Sequence, residues 1–285
     1  MREYSIYNRA AQQFLPNYGS IRKQVEAMNA RYWVYVHGST LIGELAVGVD
    51  PLQITPPPGT AMGWVMVRGK TEPIETISSF IKRVCETAKR NEATYCTIEM
   101  ESSEIELMEA FRSQGFGDHD DYYRMTCPLD RDYASCDELE FKQVSESDMR
   151  PFFNVAAEVF TGSPDPVLEE DSKNYHMLPE KALRLLHNQE RFYTVYGDDI
   201  LVGAINYHPT RGRLSNMGVH PQERGKGYGR KIAEYGLGQL RQLGNSQAYL
   251  RVHVNNEPAI NLYRSLGFSA EKRCFRLMRR SPSSD

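Results

Sequence analysis

Residues 218–231 read GVHPQERGKGYGRK. Gly225, Gly227 and Gly229 alternate with Lys226 and Tyr228, and Arg224 and Arg230 stand on either side. The apolar run LSNMGV at 214–219 precedes this turn, and Ile232, Tyr235, Leu237, Leu240 and Leu243 follow it at helical spacing. The pattern predicts strand, turn, amphipathic helix. Backbone N–H groups of such a turn point outward at the positive end of a helix, an arrangement that suits phosphate. Glycine lets the backbone come close to a ligand without a Cβ in the way, and Arg224, Lys226 and Arg230 add positive charge. The nucleotide pattern G-x-x-x-x-G-K-[ST] is absent, and G-x-G-x-x-G fails because Arg230 occupies the place of the third glycine. What remains is R-x-x-G-x-G at 224–229.

The elements that must hold this turn can be read on both sides of it. LEFKQV at 139–144 reads as a strand, and Ser145 to Asp148 cap the helix in DMRPFFNVAAEVF. PEKALRLLHN at 179–188 reads as a second helix, and RFYTVYG and ILVGAINYH as a strand pair about a Gly-Asp-Asp turn. AYLRVHV at 248–254 is a strand, PAINLYRSL at 258–266 a helix closed by Gly267, and CFRLM at 274–278 a last strand. Helices and strands mixed in this order imply an α/β, or α+β, layered domain on a mixed sheet.

The chain of 285 residues contains this pattern twice. RSQGF at 112–116 matches RSLGF at 264–268, 152 positions on, and WVMV at 64–67 faces NMGV at 216–219 at the same offset. YYRM at 122–125 lies opposite CFRL at 274–277, and TYCTIEM at 94–100 resembles AYLRVHV at an offset of 154. Two tandem domains are expected, 1–130 and 139–285, joined by the polar PLDRDYASCDELE. Hydrophobic residues at 40% and charged residues at 25% fit ordinary globular domains. A net charge of −3 argues against nucleic acid as a partner. The five cysteines form no C-x-x-C pair, which argues against a metal site or disulfide framework and for a reduced, cytoplasmic setting. No run is long and apolar enough for a signal peptide or a membrane helix.

Val219-x-Pro221-x-x-Arg224-Gly225-Lys226-Gly227-Tyr228-Gly229 resembles the acetyl-CoA pyrophosphate loop of the GCN5-related N-acetyltransferases (GNAT). Asn256-x-x-Ala259-x-x-Leu262-Tyr263-x-x-x-Gly267-Phe268 is similar to the second signature of that family. The resemblance implies two tandem GNAT-like domains and acetyl-CoA as co-substrate, its acetyl group passing by direct attack to a primary amine of a small molecule or peptide. It places the main chain of Met217 and Val219 and the side chain of Asn256 along the pantetheine arm, residues 225–229 on the pyrophosphate, and Tyr263 as general acid to the departing thiolate. A phenol with a pKa of about 10 can share a proton with such a thiolate. The family's carboxylate base is replaced here by Arg251. His253 on the same strand face, a water ordered by Ser215 or Asn216, or a group in TGSPDPVLEEDSKNYHM at 161–177 are the alternatives. That last segment, with Asp165, Glu169, Glu170 and Asp171, is where the family builds its acceptor pocket. Cys274 as a nucleophile and a non-catalytic acyl-CoA sensor are rival readings. The chain is expected to act as a monomer or homodimer.

The first copy departs from the motif. Its loop reads VRGKTEPIETI, with Arg68-Gly69-Lys70 kept, two glycines lost and Pro73 added. Phe111 stands where Tyr263 stands in the second copy. The fold without the acetyl-CoA site is expected here, with no clear opening strand in residues 1–30.

Overall fold

The computed structural model describes residues 1–27, 30–49, 60–67, 74–133 and 137–280. It divides into two compact units, Met1–Asp121 with Cys274–Asp285, and Tyr122–Arg273. The first unit contains β1 (Arg2–Ser5), α1 (Tyr18–Ala27), β2 (Arg31–His37), β3 (Thr40–Val49), β4 (Thr60–Val67), α2 (Ile74–Arg90), β5 (Tyr95–Glu101) and α3 (Ile105–Ser113). Then β6 (Gly117–Pro128) leads to the second unit, with β7 (Glu140–Gln143), α4 (Met149–Phe160), α5 (Pro166–Lys173), α6 (Glu180–Gln189), β8 (Arg191–Gly197) and β9 (Ile200–His208). The unit continues with β10 (Arg213–Val219), α7 (Tyr228–Gln242), β11 (Gln247–His253) and α8 (Glu257–Ser265), and β12 (Ser269–Arg280) closes the chain.

Each unit is a mixed sheet with one parallel pair. The first runs β1-β2-β3-β4-β5-β12, parallel only between β4 and β5. The second runs β7-β8-β9-β10-β11-β6, parallel only between β10 and β11. Successive residues of a strand face opposite sides of the sheet, and the second unit uses both faces. Tyr193, Ile205 and Tyr207 join Ile232, Ala233, Leu237 and Leu240 of α7 in one core. Phe192 and Ala204 face the other way, toward Phe152 and Phe153 of α4 and Leu183 of α6. Each such buried side chain contributes about 1.5–3 kcal/mol. Leu243, counted in the helical stripe, lies just past the end of α7 and is 55% exposed.

The compact units cut the chain differently from the two copies in the sequence. The last strand of each copy completes the sheet of the other. Tyr122–Pro128 of β6 pairs with β11 from His253 to Gln247, and Cys274–Arg280 of β12 pairs with β5 from Glu101 to Tyr95. Adding 152 to each residue of one pairing, or subtracting it, gives the other, so the two registers are identical. The bounds of β5 and β11 also differ by 152. The two-residue slip read between these segments is therefore absent, and YCTIEME aligns with QAYLRVH without a gap. A second correction concerns the start of the chain. REYS forms β1 against β2, a strand of four residues, too short to show a period. Polar composition also hid the anchoring of the connecting segment, in which Leu129 and Leu139 are buried in the second unit's core and Arg131 donates to the Leu266 carbonyl at 2.6 Å. No helix among the described residues is long and apolar enough to cross a membrane.

Glycines let α4 and α7 approach the sheet closely. A Cβ on Gly218 would stand 2.6 Å from Val159 Cγ1 and 2.7 Å from Phe160 Cε1, and one on Gly236 2.7 Å from Ile205 Cδ1. Replacing Gly218 by Ala overpacks the contact between β10 and α4, a destabilisation of about 1–3 kcal/mol. A lowered Tm in calorimetry is the expected result; an unchanged Tm would show that α4 can slide.

Candidate active site

The second unit departs from a regular sheet at one place. β10 pairs with β11 only at Arg213 and Tyr249, while its pairing with β9 continues through Val219. Between Leu214 and Asn216 the register against β9 shifts by one residue, a bulge at Ser215. Bulges bend the strand that carries them. Beyond it, β10 has no ladder partner in β11, which leaves main-chain groups of Ser215–Val219 on that edge open to a ligand. Met217 and Val219 lie on this edge.

The first unit provides an internal control. Thr60–Trp64 stay paired with Tyr95–Glu99 through five consecutive positions, and β3 and β4 pair without a shift. Gly63 and Trp64, which correspond to Ser215 and Asn216, thus keep their partners in β5, and the parting of the two strands begins only after Trp64. The residues of its loop, Arg68-Gly69-Lys70 through Pro73, lie outside the described residues.

The glycine turn follows β10. Pro221–Glu223 form one 3-10 turn, and α7 starts at Tyr228 with Gly227 as its N-cap. Gly225 and Gly227 have φ of +83° and +85°, the left-handed region that side chains disfavour. A Cβ at either would meet nothing within 4 Å, so backbone conformation, not crowding, requires glycine there. No side chain caps α7. The Arg230 N–H donates to the Gly227 carbonyl at 3.2 Å, and the N–H groups of Tyr228 and Gly229 before it lie at the helix end whose dipole favours an anion. Gly229 is helical, its Cα side packed at ordinary distance toward Leu262 and Val219.

The charged residues of the turn have partners. Arg224 donates to the carbonyls of Val219 at 3.1 Å, Gly162 at 3.2 Å, and Val159 and Thr161 at 3.1 and 2.7 Å. It thus caps the end of α4 and ties it to the turn. Lys226 pairs with Glu223 at 2.8 Å, and Arg230 bonds Ser265 at 2.6 Å and Glu234 at 3.3 Å. Both salt pairs are exposed, and such pairs contribute only about 0–1 kcal/mol, so Lys226 and Arg230 can turn to a phosphate. Tyr228 packs against the core with Lys231 over its ring.

Asn256 caps α8, its side-chain oxygen accepting from the Ala259 N–H at 3.2 Å. Tyr263, 8% exposed, sets its ring edge-on to Phe268 at 5.6 Å. Burial pushes its phenol up to about 12. Phe111 holds the same contact with Phe116 in the first unit, at 5.1 Å.

His253 ends β11. It is buried, and its Nδ1 accepts the Asn255 N–H at 3.2 Å. In the 161–177 segment, Asp165 caps α5 through Val167 and Leu168, and Glu170 pairs with Lys173. Cys274 is buried and belongs to the first unit.

One group escaped the sequence. Glu190, between α6 and β8, is 8% exposed and accepts hydrogen bonds from Ser215 Oγ at 2.8 Å and from Asn206 Nδ2. It has no cationic partner among the described residues. Nothing local marks it, because its two donors come from β9 and β10 after the sheet has formed.

Residues 146–268 match the model of the acetyltransferase (GNAT) family. That segment belongs to the GNAT family. Mycothiol acetyltransferases are similar in sequence over short stretches, the one from Thermobispora bispora at 45% identity over 58 residues and that from Streptosporangium roseum at 42% over 75. These matches cover 20% and 26% of this chain, and the chain spans about a fifth of the length of these curated relatives. A GCN5-related N-acetyltransferase structure from Sphaerobacter thermophilus aligns over 97% of this chain and 90% of its own, with a TM-score of 0.65 at 15% identity. A tandem GNAT protein from the clavulanic acid biosynthesis pathway aligns over 90% and 84%, with a TM-score of 0.56 at 17% identity. Both share the fold, and the second is a tandem protein.

If the second unit's turn holds the pyrophosphate and the first unit, with Phe111 in place of Tyr263 and two glycines fewer in its loop, holds none, calorimetric titration gives one equivalent of acetyl-CoA per chain. Gly227→Val forces a β-branched residue to positive φ and should weaken that affinity at least tenfold. Two equivalents, or unchanged affinity in the variant, would contradict the assignment.

Proposed function

We propose that the second unit is an N-acetyltransferase that moves the acetyl group of acetyl-CoA to a primary amine of a small molecule or peptide. The observation that carries this reading is the parting of β10 and β11 after a single pair, directly beside an uncapped, glycine-flanked helix N-terminus. The first feature offers main-chain groups to an amide-bearing arm, and the second offers N–H groups to a pyrophosphate. The residues on either side fit acetyl-CoA: Met217 and Val219 along the arm, 225–229 with Lys226 and Arg230 on the phosphates, and Asn256, through its amide nitrogen, on the arm.

Glu190 takes the role of base in this proposal. A buried carboxylate without a cationic partner is unfavourable alone, and a substrate ammonium would offset it. Glu190, directly or through Ser215 Oγ, receives the ammonium proton. The amine nitrogen then bonds to the thioester carbonyl carbon, the C–S bond breaks, and the sulfur leaves with the electron pair. Tyr263 supplies a hydrogen bond to that sulfur, and the second proton that the nitrogen loses as the amide forms passes to the thiolate through the Tyr263 hydroxyl, which ends as it began. With the phenol raised to about 12 and a thiol near 8.5, full transfer is uphill in the resting site. Its main contribution is therefore a hydrogen bond to the developing thiolate.

Tyr263→Phe repeats what Phe111 already does in the first unit, so Tm should change little while kcat falls by about 10²-fold or more. The raised phenol also implies no basic limb from Tyr263 below pH 10 in the kcat profile. A limb near pH 9 that disappears in Tyr263→Phe would refute this. Glu190→Gln should lower kcat by about 10²–10⁴-fold with acetyl-CoA affinity kept. Full activity in that variant would remove Glu190 from the mechanism. A protein that binds acetyl-CoA yet acetylates no amine in a broad screen would be the sensor instead.

A further inference from the structure

The first unit has a cavity of about 680 Å³ between β2, β3 and the second half of α2. Among the described residues, none of β4 or β5 lines it. Arg31, Arg83 and Arg90 line it together with Glu3, Trp33 and Val47.

The second unit shows how the same place is filled when it is only core. By strand pairing, Glu3, Trp33 and Val47 correspond to Phe141, Tyr193 and Tyr207: Glu3 opposes Tyr35 as Phe141 opposes Val195, and Arg31 opposes Val47 as Arg191 opposes Tyr207. Arg83 corresponds to Tyr235, at the offset of 152. In the second unit Phe141 stacks on Tyr235 at 3.6 Å, Tyr193 sets its edge to Tyr235 at 5.5 Å, and Tyr193 stacks on Tyr207 at 5.9 Å. In the first unit these four aromatic rings become an ion pair, Arg83 Nε to Glu3 Oε1 at 2.8 Å, a guanidinium 5.7 Å over Trp33, and a valine. Space opens where the rings were.

The charge in that space is unbalanced. Arg83 is shared between Glu3 and Glu86. Burial would raise the Glu3 carboxyl, but hydrogen bonds from Arg83 and Ser79 outweigh it and hold it below its ordinary value, so it stays ionised. Arg31 and Arg90 have no carboxylate partner among the described residues. Two guanidiniums beside an apolar floor of Trp33, Val47 and Val49 suit an anion with an apolar body. The cavity also abuts the C-terminal end of α2, at Arg90 and Asn91. Its carbonyls disfavour dense negative charge, which selects a carboxylate over a polyphosphate.

We infer that this cavity is a binding site for a small organic monocarboxylate, with the carboxylate held by Arg31 and Arg90 and an apolar body lying against Trp33, Val47 and Val49.

Trp33 makes the test direct, since the chain has two tryptophans, Trp33 and Trp64. In the full chain carrying Trp64→Phe, phenylacetate is titrated while Trp33 fluorescence is followed, with calorimetry in parallel. Phenylacetamide and inorganic phosphate serve as comparison probes. Phenylacetate should bind at least tenfold more tightly than either. Arg31→Ala with Arg90→Ala should weaken it at least tenfold and leave acetyl-CoA affinity unchanged. Val47→Tyr, which restores the other unit's side chain, should block binding with all three arginines present, and circular dichroism checks that each variant is folded. Equal binding of the amide would overturn the role of the arginines, and equal binding of phosphate the role of the apolar floor. No saturation by phenylacetate below 10 mM, or unchanged binding in the double variant, would overturn the site.

Discussion

Everything distinctive about the second unit follows from β10 leaving β11 after one pair. A parallel pair that continued, as β4 and β5 do, would satisfy its own N–H and C=O groups and leave nothing for a ligand. The bulge at Ser215 ends the pairing and also turns the Ser215 hydroxyl to Glu190. One irregular residue thus joins the open strand edge to a buried carboxylate. The remaining parts keep that opening in shape. Gly203 and Gly218 allow β9, β10 and α4 to pack closely, since a Cβ on Gly203 would lie 2.3 Å from the Gly218 carbonyl oxygen. Arg224 then fixes the end of α4 to the turn that starts α7.

The two units are a comparison made within one chain. Their outer strands and their exchanged last strands share register, yet chemistry has been removed from one and space created in it. Phe111 for Tyr263 keeps the packing and loses the hydroxyl. Glu3, Arg83, Trp33 and Val47 for four aromatic rings keep the sheet and lose the filling. Both changes are conservative in fold, because side chains at these positions are borne by strands and helices whose backbone pairing does not depend on them.

Much of the site was legible in the sequence because glycine and helix position are local properties. The turn at 224–229, the strand before it and α7 after it all stand where spacing put them. What was hidden is non-local. Glu190 meets Ser215 across 25 positions and Asn206 across 16. The charge of Arg224 looked free in the sequence and is taken up by carbonyls more than 60 positions away. The bond that Nδ1 of His253 accepts from the Asn255 N–H also forms only once the turn after β11 is in place. The exchange of last strands was invisible for a different reason. YYRM and CFRL carry the same pattern at the same offset, so either sheet accepts either strand, and only the length and course of the intervening chain decide between them.

That exchange bears on how the protein is made. The first unit takes its final strand from Cys274–Arg280, which is synthesised only after the whole of the second unit. While the ribosome works through the second unit, β5 stands as an unpaired edge, the kind of surface that invites wrong partners. The second unit meets no such delay, since β6 emerges before any of it. The half with the open cleft can therefore close its sheet first, and the older half of the chain is the later one to finish.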